Sequence, residues 1–142
     1  VSAFKDISYD LINGIFTVLD GNVTYDSTDY NVYKSLPKAA PDNYVHVTGV
    51  IQTEDGTKDD FHYYGTVQVR VVTDNVMRAD KKLAQAIMNV VRGLLKTSKE
   101  AVFDCSPSSL IVFKHESFNE LIEQSDEIGK VTLIDIYSFL IV

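Results

Sequence analysis

Hydrophobic residues change their spacing several times along the chain, and each change predicts an element. Phe4, Ile7, Leu11, Ile12, Ile15, Phe16 and Leu19 recur at i, i+3 and i+4. That period predicts an amphipathic helix, with Lys5, Asp6, Asp10 and Asn13 turned outward. Gly21 after Asp20 suits the stop position, and Gly14 costs the helix about 1 kcal/mol relative to alanine. Residues 22–31 are polar and turn-rich, and a short strand is expected at Tyr30–Ser35. Pro37 and Pro41 bracket a stiff connector, because proline fixes its own φ and holds the preceding residue extended.

The middle of the chain alternates with period two. In Tyr44–Glu54, Val45, Val47, Gly49 and Ile51 point one way, and Tyr44, His46, Thr48 and Gln52 the other. In Phe61–Thr73, Phe61, Tyr63, Val67, Val69 and Val71 share a face opposite His62, Tyr64, Thr66, Gln68 and Arg70. Asp55-Gly56 supplies hairpin-turn chemistry between these two strands.

Helical spacing returns from about Val76 to Lys96, with a stripe of Leu83, Ala86, Ile87, Val90, Val91, Leu94 and Leu95 and with Asp74 or Asn75 as N-cap. Two strands close the chain, Leu110–Ser117 and Lys130–Val142. Ser117–Gln124 reads two ways. Ser117 and Glu120 form a capping box for a helical turn, but a bulged strand with a turn near Glu127–Gly129 is preferred. The last strand is apolar on both faces: Leu133, Tyr137, Phe139 and Ile141 on one, Ile134, Ile136, Leu140 and Val142 on the other. Such a strand is central or is buried by another subunit.

The order α-β-β-β-α-β-β predicts one α+β domain over residues 1–142. Its sheet has about five strands, mostly antiparallel because every β-β connection looks hairpin-like, with two main helices on one face.

Composition narrows the function. The hydrophobic fraction of 45% and charged fraction of 23% are those of a globular chain. The longest apolar run, Phe139–Val142, falls far short of the ~20 residues of a membrane span. The start carries no basic segment leading into an apolar core, so no secretory signal is expected. A net charge of −7 disfavours tight binding to nucleic-acid phosphates. Cys105 is the single cysteine, so no intrachain disulfide forms.

Candidate chemistry is sparse. His46, His62 and His115 all fall on expected strands. His46 and His62 as cross-strand neighbours begin a metal site, but further ligands do not suggest themselves, and solvent-facing histidines are expected. Cys105 sits beside Asp104, which raises a thiol pKa, so an ordinary loop cysteine is expected. Glu54, Asp55, Asp59 and Asp60 lack the spacing of a calcium loop and read as a hairpin tip. No phosphate-binding glycine loop or G-x-S-x-G elbow occurs. No catalytic residue, metal or cofactor is therefore expected, and the protein is expected not to be an enzyme. Eight tyrosines are the oddity, a residue suited both to interfaces and to strand surfaces.

The element order and several local features resemble the tail terminator (tail completion) proteins of long-tailed bacteriophages. The features are Val32–Pro37, then Pro41–Val45; the long strand Val67–Thr73 leading to the striped helix Arg78–Leu95; and the acidic, glycine-containing turn Asp126–Gly129 before Val131–Val142. Family members often keep Trp or Ser before the second helix, where this chain has Val72-Thr73-Asp74.

The resemblance implies a homo-oligomeric, hexameric ring in the virion. Assembled in the host bacterial cytoplasm, the ring ends the tail tube and joins it to the head connector and neck proteins, and DNA passes without specific binding. On that reading Tyr44, His46, Tyr63, Tyr64, Tyr137 and Phe139 are interface candidates, and Glu54, Asp55, Asp59 and Asp60 line the lumen or a loop tip. A head–tail adaptor, or a module that binds peptide or ligand at a sheet edge, remains as an alternative.

Overall fold

The computed structural model describes residues 6–56, 61–74, 81–95, 104–124 and 129–142. The elements are α1 (Ser8–Leu19), β1 (Thr24–Tyr25), β2 (Thr28–Asp29), β3 (Asn31–Tyr33), β4 (Tyr44–Gly56), β5 (Phe61–Asp74), α2 (Lys81–Leu95), β6 (Leu110–Gln124) and β7 (Gly129–Ile141). Five strands form the main sheet in the order β3-β4-β5-β7-β6, and β1 and β2 form a separate small hairpin within the turn-rich stretch. Apart from that hairpin, the expected α-β-β-β-α-β-β order holds.

Burial of apolar side chains places both helices on one face of the sheet. Ile7, Leu11, Ile15 and Leu19 of the α1 region meet Ala84, Ile87, Met88, Val91 and Leu95 of α2. Beneath them lie Val45 and Val47 of β4, Val67, Val69 and Val71 of β5, and Leu133, Tyr137 and Phe139 of β7 in the same cluster. Each fully buried aliphatic side chain there contributes about 1.5–3 kcal/mol. The α1 stripe is as expected, except that Phe4 lies outside the described residues. Gly21 ends the helix with φ +74°, as its position suggested. Gly14 has a specific use: an added Cβ would lie 2.7 Å from the Asp104 carbonyl oxygen and 2.7 Å from Cys105 Sγ, so glycine lets the 104–105 loop close onto the helix.

Three expectations need correction. First, β3 pairs with β4 in parallel, with Val32 opposite Val45, not through a hairpin. The connector over residues 34–43, stiffened by its prolines, carries the chain back so that β4 starts beside β3 in the same direction. Second, Ile51 does not share a face with Val45 and Val47. The β4–β5 register shifts between Thr48 and Ile51, and Gly49 takes φ +69° there. The bulge adds a residue and turns Ile51 outward, 65% exposed. Third, His46 and His62 are not cross-strand neighbours, since His46 pairs with Arg70 and His62 with Asp55. Asp74 is the last residue of β5, and the helix start expected from about Val76, with Asn75 as the other N-cap candidate, lies outside the described residues.

The closing strands resolve the open questions. Ser117–Gln124 is strand, and the β6–β7 register shifts between His115 and Ser117, so the bulged-strand reading holds. The doubly apolar β7 lies inside the sheet between β5 and β6. One of its faces meets the helices. The other, with Ile134, Ile136 and Leu140, belongs to the second sheet face and is half-buried.

Candidate functional site

The most concentrated chemistry lies where α2 crosses β6 and β7. On β7, period-two alternation sends Leu133, Asp135 and Tyr137 toward the helices, and Asp135 is 0% exposed. A lone buried carboxylate is costly, and this one is surrounded by donors. Arg92 of α2 donates through Nε to Oδ2 and through Nη2 to Oδ1, each at 2.7 Å. The Tyr137 hydroxyl donates to Oδ2 at 3.2 Å. His115 Nε2 lies 3.0 Å from Oδ1, and because an ionised carboxylate only accepts, that nitrogen carries the proton.

Burial raises the Asp135 pKa, but the hydrogen bonds and charges of Arg92 and His115 outweigh it and hold the carboxyl below its ordinary value. The same carboxylate raises the Arg92 pKa. Burial, and then the charge of Asp135, push the Tyr137 phenol up.

Aromatic rings brace the group. Phe113 stacks on Tyr137 with centroids 4.8 Å apart, and His115 meets Tyr137 edge-on at 5.3 Å. The Arg92 guanidinium lies 5.3 Å from the Phe118 ring centroid. Beside the network a cleft of about 440 Å³ opens between α2 and β6, lined by Gln85, Met88, Asn89, Arg92, His115, Phe118 and Leu133.

A histidine oriented by a buried aspartate can serve as a general base. None of the cleft-lining residues is a serine, threonine, cysteine or lysine that it could activate. Cys105 packs against α1 instead, and burial followed by the charges of Asp104 and Asp10 pushes its thiol up to about 12. Among the described residues no group of three or more His, Cys, Asp or Glu could hold a metal ion. The Asp135 network ties α2 to β6 and β7, and Arg92 and His115 form part of the cleft wall.

The second feature is β6 itself. Its 15 residues form an outer strand of the sheet, hydrogen-bonded among the described residues to β7 along one side only. Ile111, Val112, Phe118, Leu121 and Ile122 on it are all exposed. An outer strand of this length with apolar side chains is a template for another chain.

The structure places the expected interface residues unequally. Tyr63, Tyr137 and Phe139 are buried in the core of the chain, which removes their side chains from any surface. Tyr44 is also buried, edge-on to Tyr33 at 6.0 Å. His46 is half-buried, and burial lowers its pKa, with the Arg70 charge adding to the effect and a backbone contact at Lys34 opposing it. Tyr64 is the exposed one of the six. Glu54 and Asp55 lie at the end of β4, opposite Tyr63 and His62, while Asp59 and Asp60 fall outside the described residues.

His115 corrects an expectation, since it binds Asp135 instead of facing solvent. The Arg92–His115–Asp135 network went unread in the sequence. Its one signal was an aspartate at an inward position between Leu133 and Tyr137.

No family model matches the chain, and no curated protein matches it. Among solved structures, it is similar to a chain in the virion of a native gene transfer agent (GTA) particle. The TM-score is 0.71 at 15% sequence identity, covering 96% of this chain and 99% of that one. At that identity the likeness speaks for the fold, and it extends over nearly the whole of both chains.

Proposed function

We propose that this protein is a structural component of a tailed, phage-like particle, forming a ring that ends the tail tube and joins it to the head connector. The observation that carries the reading is the fold shared over 96% of the chain with a chain of a gene transfer agent virion. The tail-terminator pattern in the sequence points the same way, and so does a long, apolar outer strand of the kind that subunits use to associate.

Rings arise from interfaces in which two different patches of one chain meet and close by rotation. Six copies at −7 each carry about −42, and an acidic lumen repels DNA so that it slides through. On this reading the protein has no catalytic step, cofactor or metal, and its partners are further copies of itself, the tube protein and the neck proteins.

Native mass spectrometry and negative-stain microscopy of the purified protein, alone and mixed with the tube protein of its own particle, test the proposal. Closed rings, hexameric in mass, are expected. A protein that stays monomeric under both conditions overturns it.

A further inference from the structure

The cleft between α2 and β6 has an apolar floor and a polar end. Met88 and Leu133 are buried beneath it, and the exposed Phe118 ring forms part of its wall. At the polar end stand Arg92 and His115, both bound to Oδ1 of Asp135, at 2.7 and 3.0 Å. Each keeps a second nitrogen. Arg92 uses Nε and Nη2 on the carboxylate, and among the described residues no acceptor takes Nη1. His115 uses Nε2, and among the described residues Nδ1 has no hydrogen-bond partner.

Those two nitrogens are of opposite kind. A guanidinium N–H only donates. Because Nε2 gives its proton to Asp135, the Nδ1 of a neutral imidazole carries a lone pair and accepts. A donor beside an acceptor matches a hydroxyl, which plays both parts. A carboxylate would be held by Arg92 but would set its lone pairs against that of Nδ1. An ammonium would suit Nδ1 but would meet the guanidinium charge. The volume of about 440 Å³ leaves a serine or threonine side chain loose, whereas an aromatic ring packs against Phe118 and the Met88 thioether.

The route of entry lies beside it. β6 is the outer strand of the sheet, and among the described residues no strand pairs with its far side. A segment added there would bond main chain to main chain and send every second side chain to the helix side, where the cleft lies.

We propose that the cleft is a docking site for a tyrosine side chain presented by an extended segment of another protein chain. The phenol hydroxyl accepts from Arg92 Nη1 and donates to His115 Nδ1. The site is independent of the ring reading, because it needs neither further copies nor a closed assembly.

Three probes test this on the purified parent protein at about pH 8, where an ordinary histidine is neutral. They are acetyl-Val-Tyr-Val-amide, acetyl-Val-Phe-Val-amide and p-cresol, titrated by NMR with the Met88 methyl as reporter. The tyrosine peptide is expected to bind about tenfold more tightly than the phenylalanine peptide, the yield of two modest hydrogen bonds. It is also expected to bind about tenfold more tightly than p-cresol, which gains no main-chain bonds. In His115→Phe, with folding checked by circular dichroism, the preference for tyrosine should vanish while the phenylalanine peptide binds as it does to the parent.

Equal binding of the two peptides by the parent overturns the hydroxyl match, and no Met88 shift with any probe overturns the site itself. Cresol binding as tightly as the tyrosine peptide overturns the assignment to a protein segment. The peptide comparison is made on the parent and so decides even if the variant fails to fold. None of these outcomes bears on ring formation, which native mass reads separately.

Discussion

Asp135 shows how one residue couples packing to charge. Its carboxylate is buried beneath α2, where Arg92 grips both of its oxygens and His115 and Tyr137 complete the set. Removing one partner of a buried ion pair strands the other. Arg92→Ala should therefore lower stability by about 2 kcal/mol, less than the ~3–5 of a fully buried pair, because the guanidinium is 40% exposed and screened by solvent and His115 and Tyr137 remain on the carboxylate.

The pH dependence follows from the direction of the shift. The folded Asp135 pKa lies below the unfolded value of ~3.9. Its contribution is thus fully present above that value and is lost as pH falls through the folded pKa. Urea melts of parent and variant should differ most near neutral pH, and the gap should narrow below about pH 4. A constant gap down to about pH 3 would show that Arg92 acts by packing rather than through the carboxylate.

At the scale of elements, glycines mark where two segments come closer than a side chain allows. Gly14 lies within α1, and by helix propensity alone Gly14→Ala should stabilise by about 1 kcal/mol. The structure predicts the opposite sign. The new methyl would meet the Asp104 carbonyl oxygen and Cys105 Sγ at 2.7 Å, and overpacking of this kind costs about 1–3 kcal/mol. A thermal melt decides, and a raised melting temperature would show that the 104–105 loop yields readily. The β4 bulge makes a similar point about faces: with Gly49 at φ +69°, one extra residue exchanges Ile51 from the helix-covered face to the outer one.

At the scale of the molecule, the helices cover one face of the sheet, and among the described residues no strand pairs with the outer side of β6. Leu121 is 52% exposed on that edge. Mass action makes the consequence measurable, because any partner that binds only the folded state stabilises it. If copies of the chain associate, the melting temperature should rise with protein concentration across about a hundredfold range. A flat profile would mean that the chain stands alone in solution and that its exposed edge awaits a different protein.

Much of this architecture was legible in the residues. Period 3.6 marked both helices, period two marked the long strands, and apolar residues on both faces of Lys130–Val142 marked an inner strand, because only a strand covered on two sides profits from them. Other features belonged to tertiary structure alone. Local pattern carries no information on which strand lies beside which, so the parallel β3–β4 pair and the placing of β6 at the sheet's edge had no signature. A bulge shifts faces through the φ of one residue, which alternation cannot register. Asp135 was visible as a charge in an apolar strand, but its meaning depended on Arg92, 43 residues away in the chain. Pairings over such separations are set when helix and sheet pack, and so the cleft and the edge took shape only with the fold.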